Sequence, residues 1–393
     1  MRKQIFLLAL SAVLMVLYTG CKPPKPEEKD YNRPLLPGED ALVKITDPAR
    51  IPDFTTACRN TYNLVDAIDR SLNYMAKPSS EQFFPMQDIT HQDVVESLRA
   101  FRDIVTSGMS AEDMNREIRA RFDVYQSVGC DSHGTVLFTG YYTPIFNGSL
   151  EQTERFKYPL YSMPEDLVKD DMGNILGRKT AGGGYEAYPD REQIDSSGML
   201  AGQELIWMED AFEVYIAHVQ GSAKIRLPNG RLVTVGYAAT NGHEYRSIAR
   251  DLSNEGGIPL DKMSLKAMID YFKANPDQVS RYVNRNPRYV FFRETEGNPT
   301  GSINEPVTYL RTIATDKTIF PRASVVFIDT NLPRLIGDYV DILPFKGFML
   351  DQDTGGAIRA AGRCDIYLGE GESAGLVAGK TYEEGSMYYL ILK

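Results

Sequence analysis

Hydrophobic spacing changes once along this chain, near Phe122, and no other feature limits the possible folds as much. Before that point apolar residues recur at intervals of three and four: Leu64, Ile68, Leu72 and Met75, then Val94, Leu98, Phe101 and Val105, then Met114, Ile118 and Phe122. This period predicts three helices. The first spans residues 60–75, the second spans 91–105 with Thr90 and Asp93 as a capping box, and the third is opened by Ser110. The stripes are core contacts and are assigned no chemistry. After Phe122 the apolar runs shorten and are broken by Gly, Pro and Asn. Residues 135–144 and 224–235 read as strands, the latter a hairpin turning at Pro228-Asn229-Gly230. Helical patches at 191–199 and 264–274 interrupt them. Residues 169–185 are polar and Gly-rich; lacking the lysine and the following helix of a phosphate loop, they read as a mobile surface loop. The 32 Gly, 22 Pro and 23 Tyr beside a single Trp fit strands and turns. The expected class is mainly β with some helices, and 393 residues leave room for two domains.

The formal net charge of −10 excludes a basic nucleic-acid binder. Arg2 and Lys3 precede an apolar run from Ile5 to Leu17, which suits an export signal and is too short to span a bilayer. Leu17-Tyr18-Thr19-Gly20-Cys21 then resembles a bacterial lipoprotein box, with Tyr18 where Leu is usual. The reading is a signal peptide over residues 1–20, a lipid on Cys21, a flexible Pro-rich tether over 21–40 and attachment to a membrane by the N-terminal lipid. Plain secretion with Cys21 incidental is the alternative. Lys22, rather than Asp, next to Cys21 points to the periplasmic face of an outer membrane. Cys58, Cys130 and Cys364 permit at most one disulfide. No spacing suits a zinc site, and no metal or cofactor is expected.

The residues able to carry chemistry cluster late. Asp351-Gln-Asp353-Thr-Gly-Gly-Ala-Ile358 sets carboxylates beside a Gly-Gly, where backbone can approach a ligand closely. Asp365, in Arg363-Cys-Asp365-Ile-Tyr-Leu-Gly369, opens an alternating apolar run and is placed at a strand end facing a cleft. Paired carboxylates whose environments separate their pKa values are what glycosidic cleavage requires.

These two segments resemble the three-aspartate domain of the membrane-bound lytic transglycosylase A family. Upstream motifs agree in order: Phe138-Thr-Gly-Tyr-Tyr-Thr-Pro144, Tyr158-Pro-Leu-Tyr161, Leu205-Ile-Trp-Met-Glu-Asp210, His218-Val-Gln-Gly-Ser222, Asn241-Gly-His-Glu-Tyr-Arg-Ser-Ile248 and Asn286-Pro-Arg-Tyr-Val-Phe-Phe292. The resemblance covers about residues 130–393. It implies a double-psi β-barrel domain over 41–143 and 294–393, with the three-aspartate segment at 305–393, and a second inserted β-barrel over 144–293. A groove between the two accepts a glycan strand. By motif, Asp365 stands for the family's catalytic acid, Asp353 for its helper and Asp316 for the third aspartate, where the surrounding Leu310–Asp316 run departs from the family's pattern. Arg359-Ala-Ala-Gly362 also stands where the family commonly has Lys-Gly.

The resemblance implies a peptidoglycan lytic transglycosylase. Such an enzyme cuts the β-1,4 bond between N-acetylmuramic acid and N-acetylglucosamine without water, because the muramyl 6-hydroxyl closes a 1,6-anhydro ring. Asp365 would protonate the leaving oxygen and then accept the hydroxyl proton, with burial and the charge of Asp353 raising its pKa. Thr139, Tyr141, Gln220, Tyr245 and Ser247 lie in the matched motifs as substrate-binding candidates, Tyr141 and Tyr142 alternating so that one faces the core. His218 and His243 read as framework residues. An inverting hydrolase using Asp353 or Asp316 as base, and a non-catalytic glycan-binding lipoprotein, remain the alternatives. Murein strands are the expected partner, with cell-wall synthesis or division proteins as candidates.

Overall fold

The computed structural model describes residues 29–170, 173–259, 262–337 and 339–393. The signal peptide, Cys21 and the tether as far as residue 28 lie outside the described residues. The rest of the expected tether is not free chain. The Tyr31 hydroxyl donates to Glu384 at 2.7 Å and its ring packs edge-on against Tyr382, while Arg33 donates to the Cys130 carbonyl at 2.7 Å and pairs with Glu39. An aromatic and a bidentate arginine thus dock this segment early.

Three of the helices match the stripes. Leu64–Met75 starts later than expected, after Asn63 at φ 59°. His91–Thr106 carries the Thr90–Asp93 capping box in both directions, and Ala111–Arg121 is capped by Ser110. Phe122, expected to continue the third stripe, instead opens a strand and is fully buried.

The strands in chain order are β1 (Leu42–Lys44), β2 (Phe122–Ser127), β3 (Val136–Thr143), β4 (Ile145–Ser149), β5 (Tyr158–Tyr161), β6 (Leu167–Lys169), β7 (Ile175–Lys179), β8 (Tyr185–Glu186) and β9 (Glu204–Met208). They continue with β10 (Ser222–Arg226), β11 (Leu232–Thr240), β12 (Val290–Thr295), β13 (Thr312–Ala314), β14 (Val325–Ile336), β15 (Tyr339–Asp353), β16 (Arg363–Glu370) and β17 (Tyr382–Leu392). Strands β17, β14, β15, β13, β16 and β3 pair in that order, and β17 pairs again with β3, so the ring closes as a barrel with no free edge. Strands β2 and β1 extend it outward from β17. The N-terminal helices cover the barrel: Phe54, Ile68, Leu98 and Phe101 share one core with Val325, Phe327, Phe348 and Leu350.

The chain between β3 and β13 builds a second sheet, ordered β12, β11, β10, β4, β9, β5. A bridge between Ser162 and Phe292 joins its two edges, so it curls towards a second barrel around Ile206, Ile225, Val235 and Phe292. The expected hairpin is present as β10 and β11, with Gly230 at φ 83° in the turn. The molecule is mainly β with two barrels, as the resemblance implies. One expectation between β3 and β13 is corrected and one helix there was not foreseen. The polar stretch at 169–185, expected as a loop, contains strand β7, which pairs with β6 and β8 at the two ends of the stretch, and only the described residues between those strands lie outside strands. Helix Ala211–Gln220, capped by Asp210 and ended by Gly221, went unread because Phe212, Tyr215, Ile216, Ala217 and His218 bury more than one side of it, leaving no stripe.

Candidate active site

The site follows from register. Ala314 of β13 is paired with Asp353 of β15 on one side and with Asp365 of β16 on the other, and Asp365 is in turn paired with Thr139 of β3. Paired residues in neighbouring strands project from the same face, so Asp353, Ala314, Asp365 and Thr139 form one row across four strands. With strands about 4.8 Å apart, the two aspartate backbones stand about 10 Å apart with only a methyl group between their side chains.

A bulge sets this row. Ile313 is paired with Asp351 but the next residue, Ala314, with Asp353, so Gln352 is an extra residue in β15. Asp351 thereby shares the face of buried Ile313, and Asp353 shares the face of Ala314. Gln352 is anchored inside: its Oε1 accepts from Thr312 Oγ1 at 2.8 Å, and its Nε2 donates to the Ala67 carbonyl at 2.7 Å and to Ser71 Oγ at 2.9 Å. Helix Leu64–Met75 therefore holds the bulge in place. Asp351, with no exposed surface, is neutralised by Lys317 and accepts from Thr315 and Tyr389.

The two cavity carboxylates are held differently. Both oxygens of Asp353 are occupied: Oδ1 accepts from the amides of Ser302 (2.9 Å) and Thr354 (2.8 Å), and Oδ2 accepts from the Tyr141 hydroxyl (2.8 Å). Gly301 makes this possible, since a Cβ there would stand 2.6 Å from the Gln352 carbonyl. Asp365 accepts from Thr139 Oγ1 at 2.9 Å through Oδ1 alone. Its Oδ2 has no protein partner among the described residues, and the residue lines the cavity. Burial pushes the Asp365 carboxyl up to about 6, with a small further push from Asp353, against the opposing pull of Thr139 and Arg363. Burial also raises Asp353, opposed by the donors on it and by Lys317.

The row opens on a cavity of about 470 Å³ whose wall includes Tyr141, Gln220, Tyr245, Asp353 and Asp365. Tyr141 faces it while Tyr142 packs in the core, as alternation requires. Gln220 sits on the wall and accepts from the Tyr142 amide at 3.3 Å. Thr139 is not on the wall; its hydroxyl is committed to Asp365. Ser247 lines a separate small pocket beside Tyr245. Asp316 is buried and also off the wall. Its Oδ1 accepts from the amide and hydroxyl of Thr318 and its Oδ2 from the Ala360 amide, so it ties two loops together. His218 Nδ1 lies 3.0 Å from the Arg191 guanidinium, which can only donate, and burial holds the ring pKa well below the usual range, leaving a neutral framework imidazole. His243 Nε2 is 2.8 Å from the Tyr188 carbonyl. Cys58, Cys130 and Cys364 are buried, and none of the three is in a disulfide.

Two family descriptions match: an MltA specific insert domain over residues 137–293 and a 3D domain over residues 311–391. The membrane-bound lytic murein transglycosylase A of Vibrio cholerae is 30% identical over 270 residues, covering 67% of this chain and 68% of that protein. The chain belongs to the membrane-bound lytic murein transglycosylase A family. Among solved members, the membrane-bound lytic murein transglycosylase of Agrobacterium tumefaciens superposes with a TM-score of 0.74 at 26% identity, covering 90% of this chain and 98% of its own. E. coli MltA with bound chitohexaose gives 0.67 at 24% identity, covering 93% and 96%. Within this family frame, sequence reasoning missed Gln352, Arg288 and Ser302. A signal for Gln352 existed: Asp351 and Asp353, two apart, would share one face of a strand unless a residue between them bulged.

Proposed function

We propose that this protein is a peptidoglycan lytic transglycosylase in which Asp365 acts first as general acid and then as base. The observation that carries the reading is the asymmetry of the two carboxylates. Asp353 holds three donors across both of its oxygens, so it orients and tunes; Asp365 has one oxygen free and a pKa high enough to carry a proton. A hydrolase of the inverting kind needs a second carboxylate able to accept a proton from water.

The protonated Asp365 gives its proton to the N-acetylglucosamine O4 as the muramyl C1–O4 bond breaks. The muramyl 6-hydroxyl then bonds to C1, and its proton passes to the Asp365 carboxylate. One bond is exchanged for another, the acid is regenerated and no water is consumed. Intramolecular attack gains from high effective molarity. The relatives' names support the substrate class, and the chitohexaose held by the E. coli relative is a β-linked glycan of the same backbone.

On this reading residues 41–143 with 294–393 form the catalytic barrel domain and 144–293 the substrate-binding insert. The protein is a lipoprotein on the periplasmic face of the outer membrane, held by acyl chains on Cys21. Among the described residues no helix is long and apolar enough to cross a membrane. Mass spectrometry of a murein digest tests the reaction. Anhydromuramyl ends are expected, and reducing ends in their place would refute it. A Cys21→Ser protein is expected in the soluble fraction and active on isolated murein; retention in membranes would refute the lipid anchor.

A further inference from the structure

Four arginines and two aspartates line the cavity of a chain whose net charge is −10. Two of the arginines have protein partners that explain them. Arg191 is buried and donates to the carbonyls of Asn286 (3.1 Å) and Arg288 (2.6 Å), and Arg293 donates to Asn304 Oδ1 at 2.6 Å. Arg288 and Arg359 are different. The side chain of Arg288 is half-buried, and the one hydrogen bond recorded for it runs from Nη1 to the His243 carbonyl at a long 3.3 Å. Arg359, on the loop after Gly355-Gly356, is exposed and makes no hydrogen bond or ion pair among the described residues.

The placement of the two is built. Arg191 grips the Arg288 carbonyl, and Asn286 Oδ1 accepts the Arg288 amide at 3.3 Å. The guanidinium lies against Gly356: a Cβ on that glycine would stand 3.3 Å from Arg288 Nε. Gly356 therefore lets the loop of Asp353 close onto the insert and carry Arg359 towards Arg288. Burial depresses the Arg288 pKa and the charge of Arg359 adds to that, opposed by Tyr237 and Glu244. Two guanidiniums on one concave wall, neither of them hydrogen-bonded to a carboxylate among the described residues, repel each other, and the arrangement is favourable when an anion lies between them. Planar forks with free N–H groups suit a carboxylate, which they can hold bidentately.

We infer that Arg288 and Arg359 form a carboxylate subsite that takes the acidic 3-O side arm of a muramyl residue while Asp365 faces the glycosidic bond. The inference rests on murein being the substrate. It assigns these two arginines the task of distinguishing muramyl strands from a neutral glycan, and it makes the insert and the loop of Asp353 joint owners of specificity. In peptide-free strands the carboxylate is that of the lactyl group. Where a stem peptide is attached the lactyl group is an amide, and the carboxylate belongs to the peptide.

The test compares the full-length protein with Arg359→Gln and Arg288→Gln, measuring calorimetric affinity for chitohexaose, for peptide-free murein strands and for peptide-bearing strands. The expected result in each variant is a fall of about tenfold or more in the ratio of muramyl-strand affinity to chitohexaose affinity. A fall on peptide-free strands identifies the lactyl carboxylate, and a fall confined to peptide-bearing strands identifies the stem peptide. An unchanged ratio overturns the subsite. Arg359→Gln is decisive because that side chain has no recorded partner to lose in the fold, and a melting temperature accompanies Arg288→Gln. If the wild type releases no anhydromuramyl product, the proposed reaction fails while the affinity ratio still decides the subsite.

Discussion

The two walls of the cavity are built on different physical terms. The barrel wall presents Asp353 and Asp365 from strands in one row, with Thr139 behind them bonded to Asp365, a row fixed by backbone hydrogen bonds and an anchored bulge. The insert wall presents Gln220 from a helix end, Tyr245 from a loop and Arg288 from the segment leading into β12. Groups that must meet a reacting bond within a few tenths of an ångström sit where the scaffold is stiffest, and groups that meet a long, variable polymer sit on connections. Changes to the barrel wall should therefore act on kcat, and changes to the insert wall on KM.

The largest effect is expected for Asp365→Asn, a loss of about 10³-fold in turnover at unchanged glycan affinity, measured as anhydromuramyl release. Near-native turnover would remove Asp365 from the mechanism. Its protonation gives the same wall a pH signature. The acid must be neutral, so kcat/KM should fall as pH rises through about 6. A carboxyl raised in the folded state stabilises below its unfolded pKa and loses that contribution as pH rises through the folded value. Asp365→Asn should accordingly melt no lower than wild type at pH 7, with the difference vanishing in acid; a clear drop at pH 7 would contradict the buried-charge reading.

Asp353→Asn should cost about 10²-fold, the scale of losing an orienting group. If it is dead while Asp365→Asn works, the two roles are exchanged. Next comes Gln352→Met, which removes the anchor of the bulge without touching the cavity. It should destabilise by about 1–3 kcal/mol, leaving the buried Thr312 hydroxyl without its acceptor, and lower kcat about tenfold with KM unchanged. A rise in KM instead would show that the bulge serves binding. On the insert wall, Gln220→Ala should raise KM about threefold and leave kcat alone, since one exposed hydrogen bond is lost; a kcat defect would erase the division between the walls.

Much of the fold was legible because the determinants that showed it are local. The capping box at Thr90, the stripes at Leu64 and Val94, the turn at Asn229-Gly230 and the motifs around Asp353 and Asp365 all lie within a few residues. What escaped depends on distant partners. Asp316 looked like a third acid, but it accepts from Ala360, which no spacing reveals. Thr139 looked like a sugar contact, but the partner of its hydroxyl is 226 residues away. The polar run at 169–185 carries no alternation, and the apolar contacts of its small sheet, through Leu167 and Ile175, are with the distant residues Ala239, Tyr289 and Phe291. Arg288 was read only as part of Asn286-Pro-Arg-Tyr, since nothing in sequence shows which arginines lack a carboxylate.

The closing pair of the barrel joins Tyr382 to Thr139. Because β17 follows every other strand of the ring in chain order, a polypeptide made or threaded N-terminus first cannot complete the ring until all of those strands and β17 itself are free. Thr139 and Asp365 acquire their walled surroundings only at that moment. A murein-cutting enzyme built this way stays unassembled while its earlier strands are made, its activation timed by the arrival of β17.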